Sequence, residues 1–269
     1  MAKISILITA YKRAHLLQWN LSSLARQKIP VDYEILVLND GLPDETEELC
    51  QQYQKVLNVR YIFTGQRNLK GGMIYRVPGF ALNIGAKLSA GDVIVVSCAE
   101  MFHLNNSIMQ LYRPLLINSR LLSTAIGMDD HDSSFLDYVT THNGEFDTAA
   151  YHKNYPVLRT KLPFLMAISR REYLAVGGYD EDFIGFAYDD DDFVSRLLKN
   201  GCTHCLTQAK TIHLYHPRHD NDYTESPEYL YNRHLFLNKK TIIRNQDKDW
   251  GSINENDSMQ MSRNHLKLS

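Results

Sequence analysis

The 269 residues balance 29 Lys and Arg against 31 Asp and Glu, a formal net charge of −2, with the basic residues scattered among the acids. That pattern gives no electrostatic footprint for nucleic acid. With 44% hydrophobic residues the chain can bury a sizeable core. No apolar run reaches the roughly 18–20 residues of a spanning helix, so a cytoplasmic protein without a transmembrane segment is expected.

In chain order, residues 4–10 (ISILITA) are a nearly continuous β-branched and apolar run, the mark of a strand covered on both faces. Leu17, Leu21 and Leu24 then repeat at helical spacing, and 34–40 (EILVLND) gives a second buried strand. An acidic helix is expected over 44–55, a third strand over 59–64, a loop over 66–79, a helix over 80–89 and a buried strand over 92–97. Strand and helix alternate, which argues for βαβ units and a parallel sheet. Beyond this, 106–117 reads as a helix, 121–128 as a strand, and 129–160 as a long polar and aromatic loop. A strand over 164–169, a short helix over 171–176 and a strand over 211–215 follow. From Asn245 the chain is polar and without apolar period, as expected of a loosely held tail over 245–269. One domain is expected over 1–244, with a nucleotide-binding half to residue 104 and an acceptor-binding half after it.

Four cysteines, Cys50, Cys98, Cys202 and Cys205, are too few and too uneven for a disulfide framework. The C-x-x-C pair at 202 and 205 has no second pair to complete a zinc site, so two buried thiols near a strand are expected.

Open α/β sheets bind ligands beyond the carboxyl ends of their strands. Three polar clusters fall there: Thr9-Ala10-Tyr11, Asn39-Asp40 and Cys98-Ala99-Glu100. No G-x-G-x-x-G follows the first strand and no G-x-x-x-x-G-K-[ST] occurs, which argues against a dinucleotide fold and a P-loop. A nucleotide could still dock with Tyr11 stacked on the base and Asp40 accepting a hydrogen bond from it. Its diphosphate would need a cation or an arginine, with Arg13 and Arg76 as candidates.

The stretch from Gly177 to Gly201 sets four aspartates, Asp189 to Asp192, before a helical apolar pattern of Phe193, Val194, Leu197 and Leu198. Acids suit a helix start, but four adjacent carboxylates repel one another unless a cation or arginine is near. Asp180, Asp182, Gly185 and Asp191 partly fit a calcium loop, although Ile184 stands where an oxygen ligand is required and Asp replaces the terminal Glu.

These motifs together resemble a GT-A fold glycosyltransferase of the large inverting family 2 group. SILITAYKRAHLLQWNLSSLARQ with YEILVLNDG is similar to its first two strands, and RVPGFALNIGAKLSAGDVIVV to its approach to the metal motif. GGYDEDFIGFAYDDDDF looks like the catalytic segment of related galactosyl- and N-acetylgalactosaminyltransferases. The resemblance covers about residues 3 to 216. It implies an α/β fold with a Rossmann-like, mostly parallel sheet and helices on both faces. It also implies a nucleotide-sugar donor, most plausibly a UDP-sugar, held by Thr9, Ala10, Tyr11, Arg13, Asp40, Arg76, Asn83 and Cys98. The family's Asp-x-Asp falls on Cys98-Ala99-Glu100, so its first acid is replaced by a thiol. Glu100, His213 and His216 are the implied ligands of a divalent cation, Mn2+ or Mg2+. Residues three apart on a regular strand face opposite ways, so one of the two histidines should reach the site unless the strand ends between them.

Asp190 is the implied general base and Asp189 an acceptor-binding neighbour. The implied activity is inverting transfer to a hydroxyl of a saccharide or other acceptor, in polysaccharide or glycoconjugate synthesis, with peripheral membrane contact where the acceptor is lipid-linked. Two rivals use the same fold: a non-catalytic binding module for a sugar or nucleotide sugar, suggested by Cys98, and a nucleotidylyltransferase, whose glycine-rich entry loop is missing here.

Overall fold

The structure, a computed structural model, describes residues 3–41, 43–65, 77–147, 151, 153–158, 165–217 and 223–253. Its elements in chain order are β1 (Ile4–Ala10), α1 (Ala14–Ala25), β2 (Tyr33–Asn39), α2 (Thr46–Tyr53), β3 (Val59–Phe63), α3 (Pro78–Leu88), β4 (Val93–Cys98), β5 (Met101–His103), α4 (Ser107–Ile117), β6 (Leu121–Asp129), α5 (Ser134–Thr141), β7 (Met166–Ser169), α6 (Arg170–Ala175), α7 (Asp189–Lys199), β8 (Thr203–His213) and α8 (Pro227–Asn238).

The central strand β1 is apolar throughout because both its faces are covered. Ile4, Ile6 and Ile8 turn to one side, into a core with Leu17, Leu21 and Leu24 of α1 and Leu111 and Leu115 of α4. Leu7 turns to the other, into a core with Ala81, Leu82 and Ala86 of α3 and Phe193 and Leu197 of α7. A third, aromatic-rich cluster gathers Phe102, Phe135, Tyr155 and Leu214 beside α5.

The eight strands form one sheet in the order β3-β2-β1-β4-β7-β6-β8-β5. The first four are parallel, as strand–helix alternation predicts. At β7 the direction reverses: β7 is antiparallel to both β4 and β6, β8 is parallel to β6, and β5 is antiparallel to β8.

Three expectations from the sequence are corrected. The 129–160 stretch is not all loop, because α5 forms there and buries Phe135 and Val139. The strand expected over 211–215 is the inner end of the eleven-residue β8, whose outer residues Thr203–Leu206 are exposed or half-buried and form no continuous apolar run. Among the described residues, the chain is held from Asn245 to Gly251. Asn245 is buried, its Nδ2 donates to the carbonyls of Gly177 (2.8 Å) and Tyr179 (2.7 Å), and its Oδ1 accepts from the Glu181 amide (3.1 Å). Trp250 packs against the α3 and α7 core, and the Gly251 amide donates to Glu181 Oε1 at 2.9 Å. Hydrogen bonds to backbone groups hold this segment, and they leave no periodic apolar trace.

Candidate active site

Strand register creates the site. Thr9 pairs with Cys98, and Ala10 with Asn39, so the carboxyl ends of β1, β2 and β4 lie level. A cleft of about 280 Å³ opens above them. Thr9, Ala10, Tyr11 and Arg13 line it from β1, Asp40 from β2, and Cys98 and Glu100 from β4. Tyr179, Asp190, His213 and His216 close it from the other half of the sheet. The two halves thus meet where the parallel run ends.

Asp40 is buried at the back, with its amide donating to the Ala10 carbonyl (2.8 Å) and Oδ1 accepting from Thr64 Oγ1 (3.1 Å). Arg13 crosses the mouth. Its Nε donates to Glu100 Oε1 at 3.0 Å, and its Nη2 lies 3.4 Å from His216 Nδ1. The same Nδ1 is 2.9 Å from the Pro217 carbonyl, a shorter contact that assigns it the ring proton. Both histidines reach the cleft because β8 ends at His213, releasing the alternation before His216. His213 Nδ1 lies 3.5 Å from Asp129 Oδ1, its register partner on β6. Burial pushes the Cys98 thiol well up from its ordinary value, and the Glu100 carboxylate beside it adds to the shift.

The aspartate run opens α7, and a helix turns about 100° per residue, so its four acids cannot share a face. Asp190 enters the cleft, where its Oδ1 accepts from the Tyr179 hydroxyl at 3.2 Å. Asp192 points into the protein, with Oδ2 2.6 Å from Arg196 Nε and Oδ1 2.9 Å from Arg244 Nη2. Asp189, the expected acceptor contact, is buried and is not among the residues that line the cleft. Just before the run, Ala187 and Tyr188 adopt left-handed backbone (φ 72° and 68°), costly for residues with side chains. Asn232 of α8 holds them there: its Nδ2 donates to the carbonyls of Ile184 (2.6 Å), Phe186 (2.7 Å) and Ala187 (3.1 Å). The strain aims the first turn of α7 at the strand ends.

Two other expected residues fall elsewhere. Asn83 is wholly buried on α3, with Oδ1 accepting from the Tyr179 amide (2.8 Å) and the Tyr173 hydroxyl (3.0 Å). Its Nδ2 donates to the Tyr179 carbonyl and Glu181 Oε1, both at 2.9 Å, so it fastens the Gly177–Glu181 turn. Arg76 lies outside the described residues. Asp180 and Asp182 of the calcium-like pattern are instead paired with Lys239, Arg244 and Lys248. Sequence reasoning missed Tyr179 and Asp129. Tyr179 follows a glycine pair as an ordinary apolar residue would, and Asp129 meets His213 only through strand pairing.

Among the described residues, Cys98, Glu100 and His213 alone form a group able to hold a metal, their ligand atoms all within 4.8 Å of one another. No described helix is long and apolar enough to cross a membrane.

Comparison with known proteins agrees with this geometry. The family described as glycosyl transferase family 2 matches residues 5–171, and the N-terminal domain of galactosyltransferase matches 145–220. A chondroitin synthase of Escherichia coli is 25% identical over 231 residues, 74% of this chain and 32% of that protein. A validoxylamine A glucosyltransferase of Streptomyces hygroscopicus subsp. jinggangensis is 25% identical over 234 residues, 74% of this chain and 52% of that protein. The chain therefore spans about a third to a half of the length of these relatives. Among solved structures, GalNAc-T7 with UDP, GalNAc and Mn2+ superposes with a TM-score of 0.62 at 15% identity, over 87% of this chain and 48% of that one. The mannosyltransferase PcManGT of Pyrobaculum calidifontis, with GDP-Man and Mn2+, superposes with a TM-score of 0.56 at 14% identity, over 87% of this chain and 61% of that one. The fold is therefore GT-A, and with more than half its length matched, the chain belongs to glycosyl transferase family 2.

Proposed function

We propose that the protein is an inverting glycosyltransferase that moves a sugar from a nucleoside-diphosphate donor, most plausibly a UDP-sugar, to a hydroxyl acceptor in glycan synthesis. The supporting observation is that one cleft gathers the strand-end groups Thr9, Tyr11 and Asp40 together with a carboxylate, Asp190, brought from α7. Relatives named as synthases and glucosyltransferases, and fold neighbours solved with UDP or GDP-Man, support the same class.

In this reading Tyr11 stacks on the base and Asp40 accepts a hydrogen bond from it. Arg13 faces the diphosphate and stabilises the charge that develops on it as it leaves. A divalent cation, present in both fold neighbours as Mn2+, would sit at Cys98, Glu100 and His213 and neutralise the same charge. The Asp190 carboxylate takes the proton of the acceptor hydroxyl as its oxygen attacks the anomeric carbon from the face opposite the leaving group. The new C–O bond forms as the bond to the diphosphate breaks, so the centre inverts and no covalent sugar–enzyme species is needed.

Asp190→Asn keeps the shape of the side chain and removes the base. Transfer should fall by roughly 10²–10⁴-fold while donor binding persists; turnover close to wild type would overturn the assignment. Cys98, in place of an acid, favours a second reading, a binding module without turnover. Tight donor binding by the wild type with neither transfer nor hydrolysis, with or without added cation, would establish that reading instead.

A further inference from the structure

We propose that Cys98, Glu100 and His213 form a mixed sulfur, oxygen and nitrogen site that selects a borderline-soft divalent cation, Zn2+ or Co2+, over Mn2+ and Mg2+. Any role of that cation against a diphosphate rests on the transferase reading; the site itself rests on geometry.

Backbone pairing fixes the three ligands. Cys98 ends β4, Met101 pairs with His213 across β5 and β8, and the Leu214 amide donates to the Glu100 carbonyl at 2.7 Å. Their ligand atoms already lie within 4.8 Å of one another. Bonds of about 2.0–2.3 Å in a tetrahedral site set ligands roughly 3.6 Å apart, so closure needs side-chain movement of about 1 Å and no backbone change. Arg13 occupies Glu100 Oε1, which leaves Oε2 as the oxygen to offer a cation.

A second observation points to the same site independently. Metal-bound histidines commonly turn their other ring nitrogen to a carboxylate, which fixes tautomer and orientation. Asp129 sits 3.5 Å from His213 Nδ1, placed there by the register of β6 and β8. Binding a cation through Nε2 would leave Nδ1 beside that carboxylate, which is then placed to hold the Nδ1 proton.

The chemistry of the set decides which cation. Mg2+ requires oxygen ligands in near-octahedral order, and Mn2+ also favours oxygen, whereas thiolate and imidazole suit Zn2+ and its tetrahedral analogue Co2+. Three protein ligands also leave one position open, the arrangement of reactive rather than structural zinc sites. On binding, the thiol gives its proton to solvent as the sulfur–metal bond forms.

The test uses the full chain, stripped with chelator and titrated with Co2+ without nucleotide. A thiolate-to-cobalt charge-transfer band in the near ultraviolet is expected, together with intense visible bands, all displaced by Zn2+. By calorimetry Zn2+ should bind at least tenfold more tightly than Mn2+ or Mg2+. Cys98→Ser should lose the sulfur band, and Cys98→Asp should lose it and shift the preference toward Mn2+, with melting temperatures confirming that both variants fold. Asp129→Asn should keep the band and weaken binding by about 10–100-fold. Cobalt bound without a sulfur band, a band that survives Cys98→Ser, a tighter affinity for Mn2+, or no cation binding at all would overturn the proposal. Turnover supported by Mn2+ without the sulfur band sinks this inference alone. A cobalt band with no turnover on any donor sinks the transferase reading and leaves the site intact.

Discussion

Two charged clusters flank α7, and the difference between them separates chemistry from architecture. On the buried side, Asp192 is held by Arg196 and Arg244, while Asp180 Oδ2 lies 2.7 Å from Lys239 and 2.9 Å from Arg244 Nε. Arg196 also donates to the carbonyls of Val176 and Gly178, both at 2.8 Å. In this cluster Asp180, Asp192, Arg196 and Arg244 are all at most 3% exposed. In the cleft, Arg13 and Glu100 make one ion pair with side chains 28% and 14% exposed, and Cys98 and Asp190 stand within reach of solvent. Buried charges are tolerable only when paired and hydrogen-bonded. The buried cluster pairs every charge, with Asp180 Oδ2 and Arg244 Nε meeting as an ion pair and not as a hydrogen bond, and it acts as a latch joining α7 to the segment after α8. The cleft groups instead line an open space, which is the arrangement the proposed transfer requires. Residues from one aspartate run serve both.

On that division, a cleft substitution should cost activity and spare stability, and a latch substitution should do the reverse. The largest effect is expected for Asp190→Asn, with transfer down by about 10²–10⁴-fold and a melting temperature close to wild type. Next comes Arg244→Ala, which strips Asp180 and Asp192 of a shared partner and leaves charge uncompensated in the interior. Breaking a buried pair in this way costs about 3–5 kcal/mol, or about 10 °C in melting temperature for a chain of this size. The latch leaves no slack for substitution nearby either: a Cβ on Gly177, at φ +74°, would meet the Arg244 carbonyl oxygen at 2.2 Å. A full-strength melting transition in Arg244→Ala would dissolve the distinction.

A third, smaller effect involves neither cluster. His103 is buried beside Ser107, its Nδ1 2.6 Å from the hydroxyl, and burial holds its pKa down at about 3 against an ordinary 6.5. Below pH 6.5 the unfolded chain takes up a proton that the folded chain refuses until about pH 3. Stability should therefore be lost as pH falls through that window, by about 2 kcal/mol between pH 6.5 and 5. Urea unfolding at the two pH values checks this, and His103→Gln should flatten the difference.

The sequence made the parallel half of the sheet legible because its strands are buried on both faces and their apolar runs are continuous. It also made the rim legible, since Thr9 is the penultimate residue of β1 and Tyr11, Asp40 and Glu100 stand one or two residues past the ends of β1, β2 and β4. It concealed what depends on pairing across the chain. Asn83 looked like a donor contact and is a clamp on the Gly177–Glu181 turn. Asp189 and Asp190, adjacent in sequence, part by one helical step into core and cleft. The latch could not be foreseen, because Arg244 sits in a stretch whose polarity reads as solvated. Asp129 reached His213 through a register that no local pattern encodes.

Tyr179 sits where cleft and latch meet, so the smallest predicted effect tests the comparison most finely. Its ring is wholly buried and stacked on Phe193 with centroids 4.2 Å apart, and its backbone is clamped by Asn83 and Asn245. Burial, with Asp190 nearby, pushes its phenol well above the ordinary value, so the hydroxyl remains a donor to Asp190 Oδ1. Tyr179→Phe keeps the ring and its packing and removes only that donor. One hydrogen bond of this kind contributes about 1 kcal/mol net, equivalent to a fall in kcat of about fivefold. On the proposed role of Asp190, donor KM should hold, because the lost hydrogen bond bears on the proposed base. If stability falls instead and kcat does not, Tyr179 belongs to the latch, and Asp190 is positioned by the first turn of α7 alone.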